Sequence, residues 1–285
     1  MRYCGREFAA EEIRRIRQLI AQSPFCRRAA LSRLVCEHLD WRKPDGGLKE
    51  MSCRVAMLRM HNDGLLTLPP PRNGNGNGRP RVRLTAATDP GQPCTAKVHQ
   101  LGEIRLQLVC DRTQSRLWNE YIQRYHYLGY QPLPGAQLRY LAQAGGQTVA
   151  LLGFGAAAWK TAPRDRWIGW SDHQRPQRLH LIANNARFLI LPWVRSQNLA
   201  SKLLAMTARR LSGDWQRRYN YAPVLLETFV ERGRFTGHCY RSANWTHVGH
   251  TQGRGKLDRT HKATLPNKDV WLLPLRKDFR PRLCT

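Results

Sequence analysis

Glu227 is an acid inside an otherwise apolar run, Val224-Leu225-Leu226-Glu227-Thr228-Phe229-Val230, which reads as a buried strand. Such a carboxylate is either a general base or half of a buried ion pair, with Arg187, Arg195 or Arg241 as the partner. Tyr240 follows Cys239 on a short helical stretch, as a general acid, an attacking nucleophile or a packed ring. His126, in Tyr125-His126-Tyr127, either titrates near neutrality, stacks on a planar group, or sits satisfied in a core. Asp165 lies in Arg164-Asp165-Arg166-Trp167, which interleaves charge with a ring. That pattern suits guanidinium on phosphate and indole on a base, or else a solvated turn with an Arg–Asp pair. Asp165, Asp172 and Glu227 are the acids that could hold magnesium for strand cleavage, although no paired acidic spacing supports it. His238, Cys239, His247 and His250 lack zinc-ligand spacing, and Thr246 to His250 alternates as a strand would.

Positioning these residues requires an ordered scaffold. Asp111 to Tyr125 reads as a helix from Leu117, Trp118, Tyr121 and Ile122. Strands are expected at 137–142, 149–159, 167–170, 179–183 and 187–191, the first two joined by a turn at Ala144-Gly145-Gly146-Gln147. A helix over 198–211, the strand carrying Glu227 and a strand from Val248 follow. The layout is α/β, with polar residues expected at the carboxyl edge of the sheet.

Upstream, residues 11–22, 28–38 and 48–62 read as amphipathic helices, the third with Met51, Val55 and Leu58 on its apolar face. Pro69 to Pro80 contains three Asn-Gly steps and reads as the tip of a β-hairpin with arms at 65–68 and 81–84. Three helices and a hairpin make a winged helix-turn-helix. Its third helix would offer Lys49, Ser52, Arg54 and Arg59 to a major groove, and its wing would offer Arg72, Arg79, Arg81 and Arg83 to phosphates. The domains expected are 1–85, a linker at 86–98, and 99–285.

The 285 residues carry a net charge of +27, and residues 101–285 hold 29 basic and 11 acidic side chains. So large an excess points to nucleic acid as partner, with the second domain touching it directly through Arg164, Arg187, Arg195 and Arg241. Gly253-Arg254-Gly255-Lys256 is a compact cationic loop that adds Arg254 and Lys256. Nine Trp, nine Tyr and seven Phe exclude wholesale disorder, and no apolar run is long enough to span a membrane. Eight scattered Cys without a CxxC pair read as free thiols in the cytoplasm.

Phe188 to Leu204, with Leu191-Pro192-Trp193-Val194-Arg195-Ser196-Gln197-Asn198, resembles the central strand, pyrophosphate loop and helix of the GNAT acetyltransferase fold. Ser196 and Asn198 stand where that fold's glycines belong, and Asn crowds the approach of a phosphate, so coenzyme A is not expected. Tyr240 takes the place of the tyrosine that protonates the leaving thiolate in that fold. The chain as a whole resembles the DruA-like family. The strings that carry this likeness include Tyr125-His126-Tyr127-Leu128-Gly129, Asn185-Ala186-Arg187-Phe188, Glu227-Thr228-Phe229-Val230 and Cys239-Tyr240-Arg241-Ser242-Ala243-Asn244-Trp245. The resemblance implies anti-phage defence or mobile-element biology, with a helicase or transposase encoded nearby as partner. The expectation is a DNA-binding protein; the alternative is a DNA-modifying or DNA-cleaving enzyme using Glu227, Tyr240 and His126.

Overall fold

In the computed structural model the chain divides into two units, Met1–Gly78 and Arg79–Thr285. The structure describes residues 1–71, 82–254 and 263–285. In the first unit a short hairpin, β1 (Arg2–Tyr3) against β2 (Arg6–Glu7), leads into α1 (Ala10–Gln22), α2 (Arg28–His38) and α3 (Glu50–Asn62). Ile13, Ile16 and Leu19 of α1 meet Leu31 and Val35 of α2 in the core, as their spacing requires.

On α3 the expected face is turned outward. Met51 is 65 % exposed, and Val55 and Leu58 are exposed with it. The buried stripe is Cys53, Ala56, Met57 and Met60, which follows i, i+3, i+4, i+7. Two apolar stripes overlap on this helix, and the one rich in small or pliable side chains is the one that packs. Residues 65–68 and 82–84, expected as arms of a wing, form no strand. Leu66 and Leu68 instead bury in the helical core, and Arg28 Nε holds the Pro69 carbonyl at 2.7 Å. Arg72, Arg79 and Arg81 lie outside the described residues.

Residues 86–98 are not a linker but part of the second unit. Ala86–Thr88 form a 3₁₀ turn anchored by the buried carboxylate of Glu120, which accepts bonds from the Thr85 amide, Thr85 Oγ1 (3.2 Å) and Thr88 Oγ1 (2.8 Å). Tyr125 Oη donates to the Thr88 carbonyl at 2.7 Å, and Cys94 pairs by its backbone with Trp193 and Arg195. The prolines and Gly91 prevent helix, but the threonines supply the donors that a buried acid needs.

The second unit contains β3 (Arg105–Leu108), α4 (Arg112–Tyr125), β4 (Leu138–Ala144), β5 (Gln147–Ala156), α5 (Ala162–Ile168), α6 (Gln174–Arg178) and β6 (Ile182–Ile190). It continues with α7 (Leu199–Tyr219), β7 (Leu225–Glu231), α8 (His238–Ser242), β8 (Thr246–His250), β9 (Lys268–Pro274) and α9 (Phe279–Cys284). The strands form one seven-stranded mixed sheet in the order β3-β4-β5-β6-β7-β9-β8. Among the described strands of this sheet only β6 and β7 pair in parallel, joined by α7. The expected strand at 167–170 is the end of α5, which Pro163 starts and left-handed Gly169 stops. The two strands expected at 179–183 and 187–191 are one, β6, entered through a 3₁₀ turn at Leu179–Leu181.

The core gathers beneath the sheet around Trp118, Tyr140, Phe154 and Trp215. A Cβ on Gly153 would come within 2.9 Å of the Trp118 ring, so this close approach of strand to helix needs glycine. Among the described residues, no helix is long and apolar enough to cross a membrane.

Glu120→Ala should release the 85–98 segment. Limited trypsin digestion is expected to cut at Lys97 several-fold faster than in the wild type, with a stability loss of about 1–3 kcal/mol from stranded donors. Unchanged cleavage would show that Glu120 does not hold the segment.

Candidate functional site

The ladder between β6 and β7 pairs Ile182 with Leu225, Ala183 with Leu226 and Asn184 with Glu227, and then stops. Both strands continue, β6 to Ile190 and β7 to Glu231, and the splay opens a cavity of about 550 Å³. A cavity of this size is of the kind that encloses small ligands, roughly 300–1,000 Å³. A bulge helps to shape it. Gly153 opposes Arg187 while Phe154 opposes Asn185, so Ala186 is an extra residue on β6.

On one side of the cavity Tyr240 Oη donates to Asn185 Oδ1 at 2.8 Å, and Thr228 Oγ1 donates to the Asn185 carbonyl at 3.0 Å. Asn185 Nδ2 in turn donates to the carbonyls of Gly153 (3.3 Å) and Arg187 (3.1 Å). Asn185 thus ties the bulge to α8. Gly237, at φ +71°, starts α8 where a Cβ would collide with the Trp271 ring at 2.7 Å. Burial pushes the Tyr240 phenol up, so it stays protonated and its proton is engaged by Asn185.

His126 and Tyr127 line the opposite side, their rings stacked at 4.9 Å. Burial, with Arg187 adding to it, lowers His126 to about 4. The imidazole is therefore neutral near pH 7, and because Nδ1 faces the Leu128 amide at 3.2 Å the proton sits on Nε2. His126 thus presents a donor to the cavity and not a base. Arg187 also lines it; burial lowers its pKa, its Nη1 bonds the Ala186 carbonyl at 2.7 Å, and its Nε is buried with no partner.

Glu227 lies elsewhere. It is fully buried, with Oε2 at 2.8 Å from Arg164 Nη1 and Oε1 accepting the Ala158 amide at 2.6 Å. Of its two sequence readings, the ion pair is what forms, with Arg164 in place of Arg187, Arg195 or Arg241. Burial pushes its carboxyl up against the pull of Arg164. Arg164, expected as a DNA contact, is itself fully buried and is not on the surface. Asp165 completes the network, 2.7 Å from Arg164 Nη2, and is not part of the cavity. Asp172 is paired to Arg175. Asp165, Asp172 and Glu227 are each paired with an arginine, and among the described residues no group of three His, Cys, Asp or Glu is placed to hold a metal ion.

Arg195, Arg241 and Arg254 are exposed, as is Arg59 on α3. Lys49 is half-buried with its ammonium 6.0 Å from the Trp41 ring, and Ser52 and Arg54 are half-buried. Lys256 lies outside the described residues. In the 192–199 loop Asn198 does adopt the left-handed backbone, at φ +64°. The amides of Val194, Arg195 and Leu199 already donate to Leu191, Cys94 and Ser196.

Sequence reasoning missed Asn184, Asn185, Thr228 and Phe235 as lining residues. The visible signal was the amide pair Asn184-Asn185 inside a strand, an unusual place for two polar side chains.

The second unit is thus a mixed α/β domain with a ligand-sized cleft where its parallel strands part. Similar solved structures include polyamine N-acetyltransferase from Drosophila melanogaster, 13% identical over 60% of this chain and 100% of that one, with a TM-score of 0.38. Others are an N-acetyltransferase from Staphylococcus aureus (13% identical, 60% and 99%, TM-score 0.37) and a GNAT acetyltransferase from Streptococcus pneumoniae (12%, 60% and 99%, 0.38). Likenesses this distant carry no argument about activity. The sequence itself is more telling: residues 62–270 match the family model of Druantia protein DruA, and the chain belongs to that family. No curated protein matches it.

Arg164→Met should lower stability by about 3–5 kcal/mol in urea unfolding at pH 7, by leaving Glu227 charged and unpaired. The deficit should shrink in acid as the stranded carboxyl takes a proton; a loss below 1 kcal/mol would show that the pair is dispensable. His126 titrates at about 4 when folded against 6.5 for the free side chain, so between those pH values the unfolded chain binds the extra proton. Stability should therefore fall as pH drops through this window. His126→Gln should show a smaller drop between pH 7 and pH 5, and an identical drop would assign the acid sensitivity to other groups.

Proposed function

We propose that this DruA-family protein binds DNA in the cytoplasm, in anti-phage defence or mobile-element biology, and works with a helicase or transposase encoded nearby. The observation that carries the reading is the +18 excess over residues 101–285, together with Arg195, Arg241 and Arg254 on the surface of the second unit. A field of this sign and size attracts a polyanion and needs no specific base contact to do so. In the first unit, α3 is the segment proposed to meet DNA, with Arg59 beside the exposed Met51, Val55 and Leu58.

The same reading makes binding, and not strand cleavage, the role of the second unit. The acids that could have held magnesium are engaged by arginines. We also propose that the protein acts without coenzyme A. Three of the loop amides that a pyrophosphate would use already donate within the protein, and Asn198 carries a side chain where the cofactor's approach favours glycine.

Fluorescence anisotropy on a labelled duplex between 50 and 300 mM salt tests the proposal. Log K should fall linearly with log salt at a slope of about −5 or steeper, as expected for roughly six phosphate contacts. Arg195→Ala and Arg241→Ala should each reduce the slope by about 1. Absence of binding at 50 mM salt, or a flat salt response, would overturn it.

A further inference from the structure

The cavity between β6 and β7 holds groups that the DNA-binding surface does not use. At one side stand aromatic rings with free area: Tyr127 is 39 % and Phe235 49 % exposed, set edge to face at 5.4 Å, with His126 stacked on Tyr127. Arg234 packs over Tyr127 at 4.7 Å. With His126 and Arg234 packed on Tyr127, the area left to a flat, conjugated partner is that of Phe235 and the exposed edge of Tyr127. Deeper in, two buried polar atoms on β6 lack any hydrogen bond, the acceptor Asn184 Oδ1 and the donor Arg187 Nε. Buried polar atoms are nearly always paired, so an orphan acceptor and an orphan donor lining one cavity point to a ligand with both kinds of group on its edge.

Charge narrows the choice. Arg187 has no carboxylate at ion-pair distance among the described residues, and Lys268 also lines the cavity. Among the described residues that line it the one acid, Glu231, is paired with Arg234 at 3.3 Å. A half-buried guanidinium without a carboxylate suits an anionic ligand. A planar ring with donors and acceptors on its edge, joined to an anion, describes a nucleotide.

We propose that this cavity receives a single unpaired nucleotide of a DNA strand, its base against Phe235 and the exposed edge of Tyr127 and its phosphate toward Arg187. The proposal rests on the DNA-binding reading and deepens it: the protein would prefer DNA in which one nucleotide is already out of the stack, because unstacking a paired one opposes binding. No bond is made or broken.

The test compares anisotropy titrations, at one salt concentration, of a fully paired duplex and the same duplex with a single-nucleotide bulge. The wild type should bind the bulged duplex about tenfold more tightly. Tyr127→Ala and Arg187→Gln should erase that preference, and Tyr127→Ala should leave affinity for the paired duplex within about twofold. Tyr127→Phe, which keeps the ring and its contacts, should keep both the melting temperature and the preference. Equal wild-type affinity for the two duplexes would overturn the inference and leave the DNA-binding reading intact. So would a preference that survives in Tyr127→Ala. Salt-dependent binding to neither duplex would overturn both. Calorimetric titration with the four deoxynucleoside monophosphates separates the sources: affinity above that for the bulged strand would assign the cavity to a free nucleotide instead.

Discussion

Asn184 and Glu227 are the last pair in the parallel ladder between β6 and β7, and they divide the second unit chemically. On the Glu227 side the chain is sealed: a carboxylate with no access to water is held by Arg164 and the Ala158 amide, and Arg164 is held by Asp165. A buried charge of this kind is tolerated only when its bonds are complete, so α5 must dock where it does. Beyond Asn184 the strands part, and the backbone groups that a continued ladder would have paired give way to a cavity. The same register therefore makes one charged cluster structural and leaves another, around Arg187, open.

That division reassigns the polar residues. Chemistry in a sheet of this kind would need a base near the cleft, but the acid in the right strand faces the ion-pair network, and the histidine at the cleft is neutral and presents a proton. Tyr240 is engaged with Asn185, which is engaged with the β6 bulge. The other groups lining the cleft include hydrogen-bond donors, acceptors and flat rings, which suit recognition of a ligand.

The first unit follows a separate logic. Its core forms from the stripe of α3 that fits closely against α2, and this leaves a second apolar stripe on the outside next to Arg59. An exposed mixture of methyl-bearing side chains and a guanidinium can meet thymine methyl groups and phosphates alike, which a wholly polar helix cannot.

Much of the architecture was legible in residue order alone. Helical spacing located α1, α2 and α4 to within a residue or two, and the Ala144–Gln147 turn marked the first hairpin. Charge by segment placed the positive excess in the second unit. Tertiary structure decided the rest. Periodicity cannot say which of two overlapping stripes on α3 packs, because that depends on how near α2 can come. A stretch rich in proline and threonine reads as a linker until a buried acid such as Glu120 is found to need its donors. Glu227 carried the same letters as a catalytic acid and as half of an ion pair. Only the length of the β6–β7 ladder, set by contacts far apart in the chain, decided which it is and what lies in the gap beyond.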